Sequence, residues 1–129
     1  MEKETKQEVL RRLFVQNNLT KEDVFKHKFY TIITRSGIDK IQAANNIEIS
    51  FDLIYNSEDT KCVIIKATAI MGDRLIQTYG EAAPMNNQNA YPVAMAEKRA
   101  MSRSCLKLAG FYEQGGVFGE DEADDFKRA

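Results

Sequence analysis

Residues 47–79 read IEISFDLIYNSEDTKCVIIKATAIMGDRLIQTY, and this stretch decides the fold. Ile47, Ile49, Phe51, Leu53 and Tyr55 alternate with Glu48, Ser50, Asp52 and Asn56, the period of a strand with one buried face. Residues 57–61 are a polar turn. Residues 62–71 are apolar and rich in β-branched side chains, with Lys66 and Thr68 on one parity. Gly72 and Asp73 then make a tight turn into a third strand over 74–79. Turns this short join neighbouring antiparallel strands, so the spacing predicts a three-stranded meander. Pairing Tyr55 with Val63, Leu53 with Ile65 and Phe51 with Ala67 gathers the large apolar groups on one face, and a slip of one residue would bury charge. Asp52 then faces Lys66, Ser50 faces Thr68, Thr68 faces Gln77 and Lys66 faces Tyr79. The second face carries Asp52, Lys66, Thr68, Gln77 and Tyr79, polar enough to meet solvent or a ligand. Tyr55 is expected in the core.

Beyond the third strand, residues 80–89 form a long connection, GEAAPMNNQN. Pro92 suits the first helical position, where its missing N–H costs nothing. A helix is predicted from there to Leu108, with Gly110 as its stop. Its core stripe is Val93, Ala96, Ala100, Met101, Cys105 and Leu108, small enough for the helix to lie close against the sheet. Arg99, Arg103 and Lys107 recur every four residues as a basic line beside that stripe. Glu97 falls near the apolar side and calls for a partner, for which Arg74 is a candidate.

Toward the N-terminus, residues 2–15 read as an amphipathic helix with Val9, Leu10, Leu13 and Phe14 on one side. Thr20 suits an N-cap for a short second helix running to Lys28, and residues 29–34 read as a brief strand. Ser36 is a second N-cap, ahead of a helix over 37–45 with Ile38 and Ile41 inward. The fold class expected is α+β: N-terminal helices, a three-stranded antiparallel meander, and a long C-terminal helix packed on one face.

At 129 residues the chain is expected to form one α+β domain over 1–110, followed by a glycine-containing acidic tail over 111–129 that is expected to be mobile. The formal net charge of -1 conceals that division. Residues 1–110 carry 16 basic and 13 acidic side chains, whereas 111–129 carry 2 and 6, mostly in GEDEADD over 119–125. A basic body with an acidic tail leaves a polyanion partner open, and removing the tail should then strengthen binding. The tail is also a candidate site for a protein partner. The opening MEKETKQEV has no charged-then-apolar leader, and no apolar run approaches the ~20 residues of a membrane span. The expected setting is a soluble cytoplasmic protein of a bacterial or phage-infected cell, with Cys62 and Cys105 as reduced core side chains.

The catalytic inventory argues against an enzyme. His27 is the sole histidine, set between Lys26 and Lys28 as a solvated residue. No nucleotide-binding glycine motif occurs, the acidic run lacks calcium-loop spacing, and neither a metal nor a cofactor is expected. The binding inventory is richer. Binding a nucleic-acid strand needs cations that reach phosphates, with aromatic groups nearby. Lys66, Arg74, Gln77 and Tyr79 on the sheet supply these, beside Arg99, Arg103 and Lys107 on the helix. A helix also carries charges every four residues simply because one of its faces is wet.

Gly80, Glu81, Ala82, Pro84, Ala96, Glu97, Arg99, Ala100, Arg103, Leu106, Ala109 and Gly110 follow a pattern in which a GEAxP-like connection precedes a helix of the form AExRAxxRALxxAG. This resembles phage and bacterial recombination-associated proteins and, more loosely, the meander-and-helix core of the single-strand annealing proteins of eukaryotes and phages. The chain also resembles uncharacterised proteins of gut bacteria and their phages. The resemblance implies binding or annealing of single-stranded DNA by a homo-oligomer, often a ring, without nucleotide hydrolysis. It carries over Arg99, Arg103 and Lys107 as DNA contacts. Lys66, Arg74, Gln77 and Tyr79 come from the strand register instead. The function expected is single-stranded DNA binding in recombination or replication, with affinity falling steeply with salt. The alternative is a small oligomeric structural or interaction module that binds no nucleic acid.

Overall fold

The computed structural model describes residues 4–27, 30–87 and 90–122. Among these the elements run α1 (Lys6–Gln16), β1 (Val24–His27), β2 (Tyr30–Ile33), α2 (Arg35–Ala44), β3 (Glu48–Ser57), β4 (Cys62–Met71), β5 (Arg74–Ala82), α3 (Pro92–Leu108) and β6 (Val117–Gly119). Single 3-10 turns lie at Lys21–Asp23, Tyr112–Gln114 and Glu120–Glu122. The fold is α+β, with a three-stranded antiparallel sheet, N-terminal helices and a long helix, α3, packed on the sheet.

β3, β4 and β5 pair in the expected register: Phe51 faces Ala67, Asp52 faces Lys66, Ser50 faces Thr68, Thr68 faces Gln77, and Lys66 faces Tyr79. One expected pair is replaced. A bulge between Leu53 and Tyr55 sets Tyr55 against Ile64 in place of Val63. One extra residue in a strand turns every side chain beyond it to the other face, so Tyr55 leaves the core and is exposed. Leu53 and Ile54 at the bulge are exposed as well.

Val63, Ile65, Ala67 and Ala69 of β4 are buried on the face that α3 covers. The helix comes very close to β5, and Gly80 is why. A Cβ placed there would overlap the Ala96 carbonyl oxygen and lie 2.5 Å from the Ala100 amide nitrogen. Thr78 and Ser104 fasten the same contact, with both hydroxyls on the Ala100 carbonyl at 2.8 Å and 2.6 Å apart. Of the expected stripe, Ala96, Ala100, Met101, Cys105 and Leu108 are buried, whereas Val93 is exposed. Ser104 is buried against Thr78 of β5, and Arg99, Ser102 and Leu106 are buried too, because a second layer closes over the helix. Glu97 is exposed, and Arg74 donates to the Leu108 carbonyl (3.1 Å), a cation at the C-terminal end of α3.

That second layer contains residues read from the sequence as the start of a mobile tail. Phe111 is fully buried and stacks on Phe14 of α1, with ring centroids 6.2 Å apart. Beyond a turn through Gly115 and Gly116, β6 pairs parallel to β2 and completes a second sheet in the order β1-β2-β6. Gly119 brings β6 against α3, where a Cβ would lie 2.8 Å from that of Ser102. Residues 111–122 thus belong to the folded body, since their apolar members Phe111 and Val117 complete its core. The rest of the expected tail, 123–129, lies outside the described residues.

The short helix expected over 20–28 shrinks to the turn Lys21–Asp23, and Val24 onward is strand β1, with Val24 facing Ile33 and Phe25 facing Ile32. Pairing with β2 outweighs the local helix signal in β-branched and aromatic side chains. The side chain of His27 lies outside the described residues. Thr34, two residues earlier than Ser36, caps α2 by accepting from the Gly37 amide. Ser36 instead donates to buried Asp23 at 2.6 Å. Asp23 also accepts from Lys40 (2.6 Å) and from the Thr20 amide (2.9 Å).

These partners, Lys40 foremost, hold the Asp23 carboxyl well below the usual carboxylate range. A depressed folded pKa stabilises the fold fully above the unfolded value of about 4, and that contribution is lost as pH falls further. Asp23→Asn is therefore expected to cost about 1–3 kcal/mol at neutral pH and less in acid. Urea midpoints of both proteins at neutral and acid pH check this. Parallel decline of the two would show that Asp23 is not the titrating group.

Candidate nucleic-acid interface

The face of the meander turned away from α3 is uncovered. Because β4 lies in the centre, its residues set the rows: Asp52, Lys66 and Tyr79 form one, and Ser50, Thr68 and Gln77 the next. On one side of these lie Tyr55, Ile64 and Glu81, and on the other Glu48, Ile70 and Leu75. Tyr79 is 51% exposed and Tyr55 47%, so the face presents two phenol rings on opposite flanks of Lys66. Gln77 donates to Thr68 at 3.3 Å, which fixes its amide beside the Lys66 row. Leu75, 59% exposed, gives one corner an apolar character. Exposed rings stack on unpaired bases, and a lysine between them reaches phosphate. Lys66, Gln77 and Tyr79 were legible from the register. Tyr55 was not, because nothing in the residues around Ile54 announces a bulge.

The helix line behaves differently. Arg99 is only 2% exposed. It donates to the backbone carbonyls of Glu81 (2.7 Å), Asn86 (2.6 Å) and Asp121 (3.2 Å), and to the Asn86 side-chain oxygen (3.1 Å). Arg103 donates to the Tyr79 carbonyl (2.6 Å) and forms ion pairs with Glu81 and Glu122 at 3.0 and 3.1 Å. The two guanidinium groups therefore take the carbonyls of residues 79 and 81 along the edge strand β5 and tie residues 121 and 122 to it. Lys107, the third member, is exposed. Of the seven residues expected to contact DNA, the structure brings Lys66, Gln77 and Tyr79 together. Arg74 stands at the end of α3, Lys107 lies apart, and Arg99 and Arg103 are engaged within the protein.

Asn86, Asp121 and Glu122 are the partners that sequence reasoning missed. The one available signal was Glu81, a carboxylate next to a glycine that must touch the helix. Asp121 is buried and accepts from Ser102 at 2.9 Å, so the acidic run packs by its first members. Burial pushes the Cys105 thiol up to about 12, which leaves it protonated and unreactive at neutral pH. Among the described residues no helix is long and apolar enough to cross a membrane, and no three His, Cys, Asp or Glu residues converge as a metal site.

Fold and face together define the class: an α+β domain whose long helix lies between two three-stranded sheets, one of them open on its outer side. No family model matches the chain, and no curated protein or solved structure does.

Proposed function

We propose that this protein binds single-stranded DNA on the open face of β3, β4 and β5, as an accessory to recombination or replication. The observation that carries the reading is the pair of half-exposed rings, Tyr55 and Tyr79, set around Lys66 on an uncovered sheet. Flat aromatic platforms favour unpaired bases over duplex, whose bases are already stacked. The resemblance of 80–110 to recombination-associated proteins supports DNA as the strand.

The engaged arginines change the expected salt response. With Arg99 and Arg103 held by the protein and Arg74 on the α3 side at the Leu108 carbonyl, Lys66 is the cation that the rows of this face supply. Each phosphate contact contributes a slope of about -0.7 on a log–log salt plot, so one contact gives roughly a threefold loss from 50 to 200 mM. That is shallower than the steep dependence anticipated from a basic helix line. Stacking contributes about 1–3 kcal/mol per base, so Tyr79→Ala is expected to weaken binding by roughly fivefold or more without changing the melting temperature. Fluorescence anisotropy of a labelled 30-mer, in competition with duplex of the same sequence, measures all of this. An absence of binding at about 50 mM salt overturns the proposal, and full affinity in Tyr79→Ala removes the face from it.

A second reading draws on Leu53 and Ile54, both exposed on the outer strand β3. Apolar side chains at a strand edge favour contact with another chain, here self-association. Light scattering on the wild-type protein and on a Leu53→Lys variant separates this surface from the DNA face.

A further inference from the structure

We infer that the Glu122 carboxylate occupies a phosphodiester site on Arg103, an inference that rests on the nucleic-acid reading above. Arg103 spends both edges of its guanidinium on carboxylates. One edge meets the two Glu81 oxygens, each at 3.0 Å, and the other meets the two Glu122 oxygens at 3.1 and 3.2 Å. Two negative charges therefore share one positive charge. The planar fork of arginine accepts a phosphate as readily as a carboxylate, so either carboxylate occupies the position a phosphodiester would take.

The fold decides which one yields. Glu81 belongs to β5, held through the whole meander. Glu122 is the last residue of the 3-10 turn Glu120–Glu122, whose Asp121 is buried and bonded to Ser102 and Arg99. β6 and Asp121 therefore stay in the folded body, and rotation of the Glu122 side chain alone frees its edge of the guanidinium. Arg99 takes no part in the exchange: it stays buried on Glu81, Asn86 and Asp121 whichever partner Arg103 holds.

Arg103 is also correctly placed for a strand on the open face. Its guanidinium is bonded to the carbonyl of Tyr79, whose ring lies on that face, and β5 is the edge strand between the two. A strand stacked on Tyr79 and crossing the edge of β5 reaches Arg103, where its phosphate takes the guanidinium edge that Glu122 vacates. The Glu122 carboxylate thus competes with the DNA backbone for one guanidinium, and binding is coupled to its release.

Point changes test this better than truncation, because cutting at 110 would remove buried Phe111 and Asp121. Glu122→Gln is expected to tighten binding of a labelled oligo-dT 30-mer several-fold and to steepen the salt slope by about 0.7, one added phosphate contact. Glu120→Gln removes the same charge two residues away. That carboxylate accepts from the Arg35 amide at 2.6 Å and not from Arg103, so affinity and slope should stay at wild-type values. Adding Arg103→Gln to E122Q must abolish the gain. Thermal melting confirms folding, and Glu122→Asp, which keeps the charge but shortens the reach, should shift affinity the same way if E122Q folds poorly. Equal tightening by E120Q and E122Q would reduce the effect to bulk charge and overturn the competition at Arg103. So would wild-type affinity in E122Q, while leaving the DNA reading intact. No binding by any variant at 50 mM salt overturns both.

Discussion

Gly80→Ala is expected to destabilise the domain by about 3 kcal/mol or more, against a total of about 5–15 kcal/mol for a domain of ordinary stability. The added methyl would meet backbone, the Ala96 carbonyl oxygen and the Ala100 amide nitrogen, and backbone inside a helix has no rotamer to give. Relief requires α3 to move off β5, which breaks the Thr78 hydroxyl's bonds to the Ala100 carbonyl and the Ser104 hydroxyl. The loss should appear as a large fall in the urea midpoint. Gly72→Ala is the matched control: its φ is +63°, but a Cβ there meets nothing within 4 Å. Its cost is the left-handed backbone alone, about 1 kcal/mol. Equal midpoints for the two variants would show that close approach to the helix is not what Gly80 provides.

Arg99→Met should have the second-largest effect, again about 3 kcal/mol or more, and it should fall on stability. Methionine keeps much of the side-chain length and loses every donor. The carbonyls of Glu81, Asn86 and Asp121 are then left with an apolar neighbour in a site that excludes water, at about 1–3 kcal/mol for each group that stays unsatisfied. Arg99→Lys should recover only part of this, since a single ammonium cannot span acceptors that a planar fork was bridging. Urea denaturation followed by circular dichroism gives the ranking, with wild type above Lys and Lys above Met. A Met variant as stable as wild type but deficient in DNA binding would return Arg99 to the role of a phosphate contact.

The contrast between these arginines and Tyr79 shows where sequence reasoning reaches and where it stops. Alternation over 47–79 carries register as well as strand identity, because a one-residue slip would bury Asp52 and Lys66; hence Lys66, Gln77 and Tyr79 could be placed on one face. Pro92 and Gly110 mark both ends of α3, and the helix runs Pro92–Leu108. The bulge at Leu53/Tyr55 has no composition signal, so Tyr55 was assigned to the wrong face. The helical wheel of α3 set Arg99 and Arg103 beside the apolar stripe, but a wheel does not say what covers a helix. What covers this one is β6, a three-residue strand after two glycines that read as tail. The acceptors of Arg99 are mostly backbone carbonyls, which every residue has and no motif reveals.

The Arg99 and Arg103 bonds to the carbonyls of residues 79 and 81 have one more consequence, for assembly. A sheet can extend only through an edge whose backbone groups are free, and here arginine donors already engage carbonyls along the β5 edge, while among the described residues no strand lies beyond β3. The meander thus has a valence of one. Two copies joined through β3 consume the available edge of both, and growth halts at a closed pair. A head-to-tail ring built by continuing the meander from copy to copy would need both of its edges, so a larger closed assembly has to be made some other way than by extending this sheet.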